Sequence, residues 1–153
     1  SFVDLETIDC DTFVADQEAI RECNKQRYEM EHLNGVVHLD LDEGVCVGYK
    51  NVTDDEFWVR GHIPGRPLLP GVIMCEAAAQ LCSYFYVQAT DTDRFLGFAG
   101  MRDVKFRRAV EPGARFVLVA KATRISARRS EFDCQGFVDG KLVFEAGIIG
   151  MPL

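Results

Sequence analysis

The sequence predicts an α+β fold in which an antiparallel sheet wraps around one long central helix. Three observations carry that expectation. Residues 71–89 are apolar on nearly every side, so a helix there must be covered all round. Strand-like alternation brackets this segment on both flanks. The connections between the strand-like runs are short and marked by Gly, Pro and Asp. At 153 residues the chain is the size of one domain, with no linker and no repeat.

Taken in order, residues 1–12 are acidic and are expected to be flexible. Phe13, Val14, Ile20 and Cys23 recur at roughly helical spacing, which predicts a helix from Phe13 to about Asn24 with Asp16 as a candidate N-cap. The stretch VVHLDLDEGVCVGYKNVT alternates, turns at Asp42-Glu43-Gly44 and alternates again, as a β-hairpin does. DDEF, 54–57, starts a short turn or helix, and a proline-rich loop leads into the long helix, which at 1.5 Å per residue is about 27 Å long. Four further strand-like runs follow at about 95–109, 114–125, 130–138 and 142–150. Glu111-Pro112-Gly113, Arg128-Arg129 and Asp139-Gly140 mark the turns, the last a strong type I′ signal.

Composition excludes several classes. The net charge of −7 argues against nucleic acid as a partner, because phosphate binding wants positive charge. The charge is uneven: residues 1–99 hold 18 acids and 7 bases, residues 100–153 hold 6 acids and 10 bases. RDVKFRR, 102–108, is the densest basic stretch, and it reads either as a solvated strand edge or as a docking face for an acidic partner. Residues 72–88 are too short and too polar, with a Glu, two Gln and a Ser, for a membrane span. Six cysteines without a CxxC pair argue against zinc. With no targeting segment in view, they read as free thiols of a cytoplasmic protein. Cys75, near the helix start, reads as a packing thiol; His32 and His38 lack metal-ligand spacing.

Two residues stand out. Glu76 is the one charged side chain in the long helix, and no Lys or Arg lies within a turn of it. An ionised, unpaired carboxylate there costs several kcal/mol, so Glu76 must find a partner or hold a proton. Gln80 and Ser83 share its face, and a distant backbone or Arg partner remains open. His62 lies fourteen positions earlier, in a loop that Pro64, Pro67 and Pro70 stiffen and where Gly61 allows close approach of another backbone. That loop feeds a helix start whose first free N–H groups belong to Gly71 and Val72 and suit a carbonyl developing negative charge. Base, acid and oxyanion-type donors are what elimination of water from a β-hydroxy carbonyl compound requires. Gly71 and Glu76 point about 140° apart on a helix, so one chain cannot easily aim both at one substrate. A homodimer with two shared sites is expected.

KNVT, 50–53, with GHIPGRPLLPGVIMCEAAAQ, 61–80, closely resembles the signature of FabZ-type β-hydroxyacyl-acyl carrier protein dehydratases. VKFRRAVEPGARFVL and FEA, later in the chain, are similar to that family's segments as well. The resemblance covers most of residues 45–150 and implies a hotdog fold, dimers or trimers of dimers, and catalytic His and Glu from opposite subunits. It implies a hydro-lyase of fatty acid biosynthesis that needs no metal or other cofactor. The substrate would be a (3R)-hydroxyacyl thioester on the phosphopantetheine of acyl carrier protein, and the product a trans-2-enoyl thioester. His62 and Glu76 fall on the catalytic positions and Gly71 with Val72 on the carbonyl-binding one. Gly61, Pro64, Pro70 and Gln80 fall in the supporting motif. Carrier proteins are acidic, so Arg102, Lys105, Arg107 and Arg108 become docking contacts. Relatives that also isomerise the double bond carry Asp where Glu76 stands. The chain departs from the family at QRYEMEHLN, 26–34, in place of His-Arg-Tyr-Pro-Phe-Leu-Leu-Val-Asp, and at Ile63 in place of Phe. The alternatives are a hotdog thioesterase and a dehydratase-like subunit that binds acyl carrier protein without turnover.

Overall fold

The computed structural model describes residues 2–153. After a 3-10 turn at Leu5–Thr7 come α1 (Gln17–Cys23), a second 3-10 turn (Tyr28–Met30), β1 (Gly35–Asp40), β2 (Val45–Asn51) and α2 (Gly71–Thr90). Four strands complete the chain: β3 (Leu96–Phe106), β4 (Arg115–Arg124), β5 (Ser130–Val138) and β6 (Lys141–Pro152). They form one antiparallel six-stranded sheet in the order β1-β2-β4-β5-β6-β3.

The strand sequences explain why the sheet has two covered faces. On β2, Cys46 points into the cluster that α2 shares with Phe116, Leu118, Phe132, Phe144 and Ile148. Its neighbours Val45, Val47 and Tyr49 join Val37, Val119 and Phe137 in a second cluster. This alternation makes VCVGYK read as a continuous apolar run. Val3, Leu5, Ile8 and Cys10 pack against the second cluster, so residues 2–12 give up apolar surface to the sheet despite their acidity.

The turns follow their sequence signals. Asp139 and Gly140 both have positive φ, +50° and +75°, as a type I′ hairpin requires. At the β1–β2 turn the Asp40 carboxylate accepts from the N–H groups of Asp42 (3.1 Å) and Glu43 (3.0 Å). The first helix starts later than its apolar spacing predicts. Asp16 does cap it, accepting from the Ala19 N–H at 2.9 Å, but Val14 and Ala15 bond β1 at Val36 and do not join the helix. An exposed strand edge offers unpaired donors and acceptors, and residues 13–15 satisfy more of them as a bridge than as a helical turn.

Helix α2 crosses the inner face of the sheet where Gly48 has no side chain; a Cβ there would lie 2.9 Å from Leu81. Its cover is incomplete, contrary to the all-round burial its composition predicts. Val72 is 73% exposed, and Glu76 and Ala79 are half-buried, at the spacing of one helix face. The reason is geometric: the sheet and the 24–33 segment enclose three sides, and this strip faces outward. No helix among the described residues is long and apolar enough to cross a membrane.

Gly136 on β5 shows how tightly the inner face is filled, since an added Cβ would lie 2.4 Å from the Phe116 ring and 3.1 Å from Phe144 Cβ. Gly136→Ala is therefore expected to lower stability by about 1–3 kcal/mol, read as a lower urea midpoint at unchanged m.

Candidate active site

His62 is exposed, yet its position is closely determined. Its N–H donates to the Trp58 carbonyl (2.8 Å), and its own carbonyl accepts from the Leu68 N–H (2.8 Å). Its ring Nδ1 lies 2.8 Å from the Leu68 carbonyl oxygen. A carbonyl can only accept, so Nδ1 carries a hydrogen, and in the neutral ring the lone pair is therefore at Nε2. Between these anchors Ile63 and Arg66 exchange backbone bonds of 3.2 and 2.9 Å around Pro64 and Gly65, whose φ is +84°. That is the Pro-Gly order of a type II turn, and it gives Pro64 its place. The expected close approach at Gly61 is not made within the chain: a Cβ there would meet nothing within 4 Å, because the loop curls outward.

Pro70 begins α2 without a side-chain cap, and its carbonyl accepts from the N–H groups of Ile73 (2.9 Å) and Met74 (3.2 Å). The N–H groups of Gly71 and Val72 precede these bonds and carry the positive end of the helix dipole. Gly71 and Val72 line an open cleft of about 540 Å³ together with His62, Leu68, Phe106, Arg107 and Arg108. A Cβ at Gly71 would lie 2.7 Å from the Phe106 ring, so the glycine lets that ring close one wall of the cleft.

Glu76 does not line this cleft. Its carboxylate accepts from Gln80 Nε2 at 3.2 Å. Gln80 is fully engaged: the same amide nitrogen donates to the Met30 carbonyl (2.7 Å), and its oxygen accepts from the His32 N–H (2.9 Å). Gln80 thus holds Glu76 and ties α2 to the 26–34 segment. Burial pushes the Glu76 carboxyl above the usual range, and the Gln80 bond opposes this in part. Ser83, on the same face, is buried.

The basic residues divide into two pairs. Arg102 and Arg107 are engaged on the sheet, with Asp133 at 2.7 Å and Glu145 at 2.5 Å respectively. Lys105 and Arg108 are exposed and make no ion pair among the described residues. Cys46, Cys75, Cys82 and Cys134 are buried and unbridged, and burial raises the Cys75 thiol to about 11, which suits packing better than nucleophilic attack. Among the described residues no group of three or more His, Cys, Asp or Glu is placed to hold a metal ion.

Sequence reasoning missed a second buried charge. Lys50, on β2, is 4% exposed and pairs with Glu56 while its Nζ lies 3.3 Å from His32 Nδ1. Burial, with the Lys50 charge, lowers His32 to about 4, so the ring is neutral. The signal was present, a lysine inside an apolar strand, and is the same anomaly that singled out Glu76.

Comparison with known proteins places the chain in a family. Residues 24–147 match the family described as the FabA-like domain. A 3-hydroxyacyl-[acyl-carrier-protein] dehydratase FabZ of Albidiferax ferrireducens is 40% identical over 113 residues, 71% of this chain and 75% of that protein. The bifunctional enzyme LpxC/FabZ of Chlorobaculum tepidum is 33% identical over 138 residues, 89% of this chain but 29% of its own length. Among solved structures, the dehydratase heterocomplex ApeI:P of Xenorhabdus doucetiae superposes with a TM-score of 0.74 at 14% identity, over 88% of this chain and 90% of that one. A mutant thioesterase PA1618 of Pseudomonas aeruginosa superposes with 0.68 at 19%, over 92% and 96%. These two likenesses establish the hotdog fold.

The raised Glu76 carboxyl has a consequence for stability. The folded state binds this proton more tightly than the unfolded chain, so the contribution is fully present below the ordinary Glu range and is lost as pH rises through the folded value. Glu76→Gln keeps an acceptor for Gln80 and removes the buried charge. It is expected to be at least as stable as wild type at pH 8 and to lose that relative advantage at pH 4, measured by urea denaturation at both.

Proposed function

The chain belongs to the FabA-like domain family, and from that premise we propose that it is a hydro-lyase converting (3R)-hydroxyacyl thioesters on acyl carrier protein to trans-2-enoyl thioesters, as in fatty acid biosynthesis. The observation that carries the reading is His62 Nε2, left bare by the Nδ1–Leu68 bond, in one cleft with the start of α2. The substrate carbonyl accepts from the N–H groups of Gly71 and Val72, and His62 Nε2 takes the Cα proton. As the C–H bond breaks, its electrons pass through enolate character into the new Cα–Cβ double bond. The Cβ–O bond then breaks, and a Glu76 carboxyl protonates the departing hydroxide to water. A proton moved from His62 back to Glu76 through solvent resets the site. No cofactor takes part.

Glu76 would come from a second copy of the chain. It does not line the His62 cleft of its own subunit, and with Ala79 it is left half-buried on the strip that begins at the exposed Val72. β3 adds an unpaired sheet edge. A homodimer with two shared sites accounts for both features, alone or as the unit of a trimer of dimers. Arg107 and Arg108 at the cleft mouth, with Arg102 and Lys105 along β3, would dock the acidic carrier. The six unbridged cysteines support a reducing, cytoplasmic setting.

The test follows enoyl thioester absorbance from a 3-hydroxyacyl-carrier substrate. Wild type is expected to form product, and His62→Ala and Glu76→Gln to slow it ~10²-fold or more. Mixing the two inactive variants and allowing dimers to re-form should restore about a quarter of the wild-type rate, because half the dimers are then mixed and each keeps one intact site. No enoyl product from folded wild type on several chain lengths would overturn the reading. Release of free thiol would then indicate thioester hydrolysis, and carrier binding without turnover a binding subunit.

A further inference from the structure

The ion pair of buried Lys50 with half-buried Glu56 has no place in the chemistry above, yet it is an expensive feature to keep. Charges removed from water lose hydration that their mutual attraction often fails to replace, and apolar side chains of similar volume frequently serve stability as well or better. Its retention asks what else it does. The bonds around it give a direction. Glu56 Oε1 accepts from Lys50 Nζ at 2.5 Å and from the Trp58 indole N–H at 3.2 Å, and Oε2 accepts from the Thr53 N–H at 2.9 Å. One carboxylate thereby closes the turn from 53 to 58 and fastens it to a central strand. Trp58 is buried in the main core, and its carbonyl accepts from Gly61 N–H (3.2 Å) and His62 N–H (2.8 Å). The other side of His62 is held independently through Leu68, whose neighbour Leu69 bonds Val110 at 2.8 Å.

We propose that the Lys50–Glu56 pair is a positioning device for His62, acting through Trp58 to fix where the imidazole Nε2 stands in the cleft. This rests on the reading of His62 as the base. Lys50 and Glu56 do not touch the substrate; they are positioning residues. Lys50 rises from β2, so the pair references the loop to the sheet that also seats α2, and hence to the N–H groups of Gly71 and Val72 across the cleft. His32 Nδ1, at 3.3 Å, takes a further hydrogen of the ammonium and holds it toward Glu56. A base displaced by about 1 Å from its proton can lose ~10²-fold in rate while binding is little changed.

The experiment compares Lys50→Met, Glu56→Gln, the Lys50→Met/Glu56→Gln double variant and Lys50→Arg as purified full chains. Denaturation midpoints, kcat and KM for carrier-bound substrate, and ring NMR of the histidines would be recorded; with three histidines in the chain, the His62 signals can be assigned. The expected result for Lys50→Met, and for the neutral double variant, is a kcat lower by ~10- to 100-fold with KM within about threefold. Their His62 ring signals should shift or show mixed tautomers, and Lys50→Arg should recover part of the loss. If Lys50→Met fails to fold, the double variant carries the test, because it leaves no buried charge unpaired. Variants that lose stability but keep wild-type kcat and an unmoved His62 spectrum would overturn the proposal and make the pair a structural ion pair. Absence of dehydration by wild type itself would overturn the functional reading instead. The His62 spectrum then decides the positioning claim: a change in the double variant supports it, and no change ends it.

Discussion

Helix α2 can bury twelve of its twenty residues because small side chains let the sheet close on it: Ala77, Ala78 and Cys82 are wholly inaccessible, and Gly48 admits Leu81. That burial is the constraint from which the site follows. Once the helix lies along the inner face, its N-terminus must emerge where the proline-rich loop enters. The free N–H groups of Gly71 and Val72 then stand beside His62. The same packing decides which helix face stays open. The strip of Val72, Glu76 and Ala79 is left because the sheet and the 24–33 segment cover the others. A carboxylate on that strip is half-desolvated in one chain and would be more so against a second copy, which is the direction a general acid needs.

Polar groups inside the apolar body are few, and three of them, Gln80, Lys50 and His32, link separate parts of the chain. Gln80 uses both ends of its amide, holding Glu76 on one side and the backbone of Met30 and His32 on the other. Lys50 and Glu56 do the corresponding task for the loop that carries His62. His32 adjoins both, through its backbone to Gln80 and its ring to Lys50. The segment 26–34, where the sequence departs from the family's usual pattern, is therefore the seam between the two halves of the site. The contacts of this segment to Gln80 are made by the peptide groups of Met30 and His32 and do not depend on their side chains.

The basic stretch on β3 illustrates a different division. Arg102 and Arg107 meet acids supplied by β5 and β6, which screens them from a distant partner. Lys105 and Arg108 keep their charge outward. A net acidic molecule thus retains local positive charge beside the cleft, and such local fields govern encounter with a charged partner more than net charge does.

Much of this was legible without a structure. The hairpin at Asp139-Gly140, the Asp16 cap, the span of α2 and the four later strands are set by local rules of φ, capping and periodicity, which neighbouring residues carry by themselves. Glu76 and His62 could be singled out because each breaks its local pattern. The placement of residues 13–15 as a bridge to β1 was not legible, because a strand edge thirty-six positions into the chain decides it. Nor was the bare Nε2 of His62, which depends on where the Leu68 carbonyl points, or the role of Lys50, whose partners His32 and Glu56 come from separate elements. Local sequence determined the elements and the chemistry they carry. Only tertiary structure decided which polar atoms meet, because hydrogen bonds form over about 3 Å between groups whose separation along the chain says nothing of their distance in space.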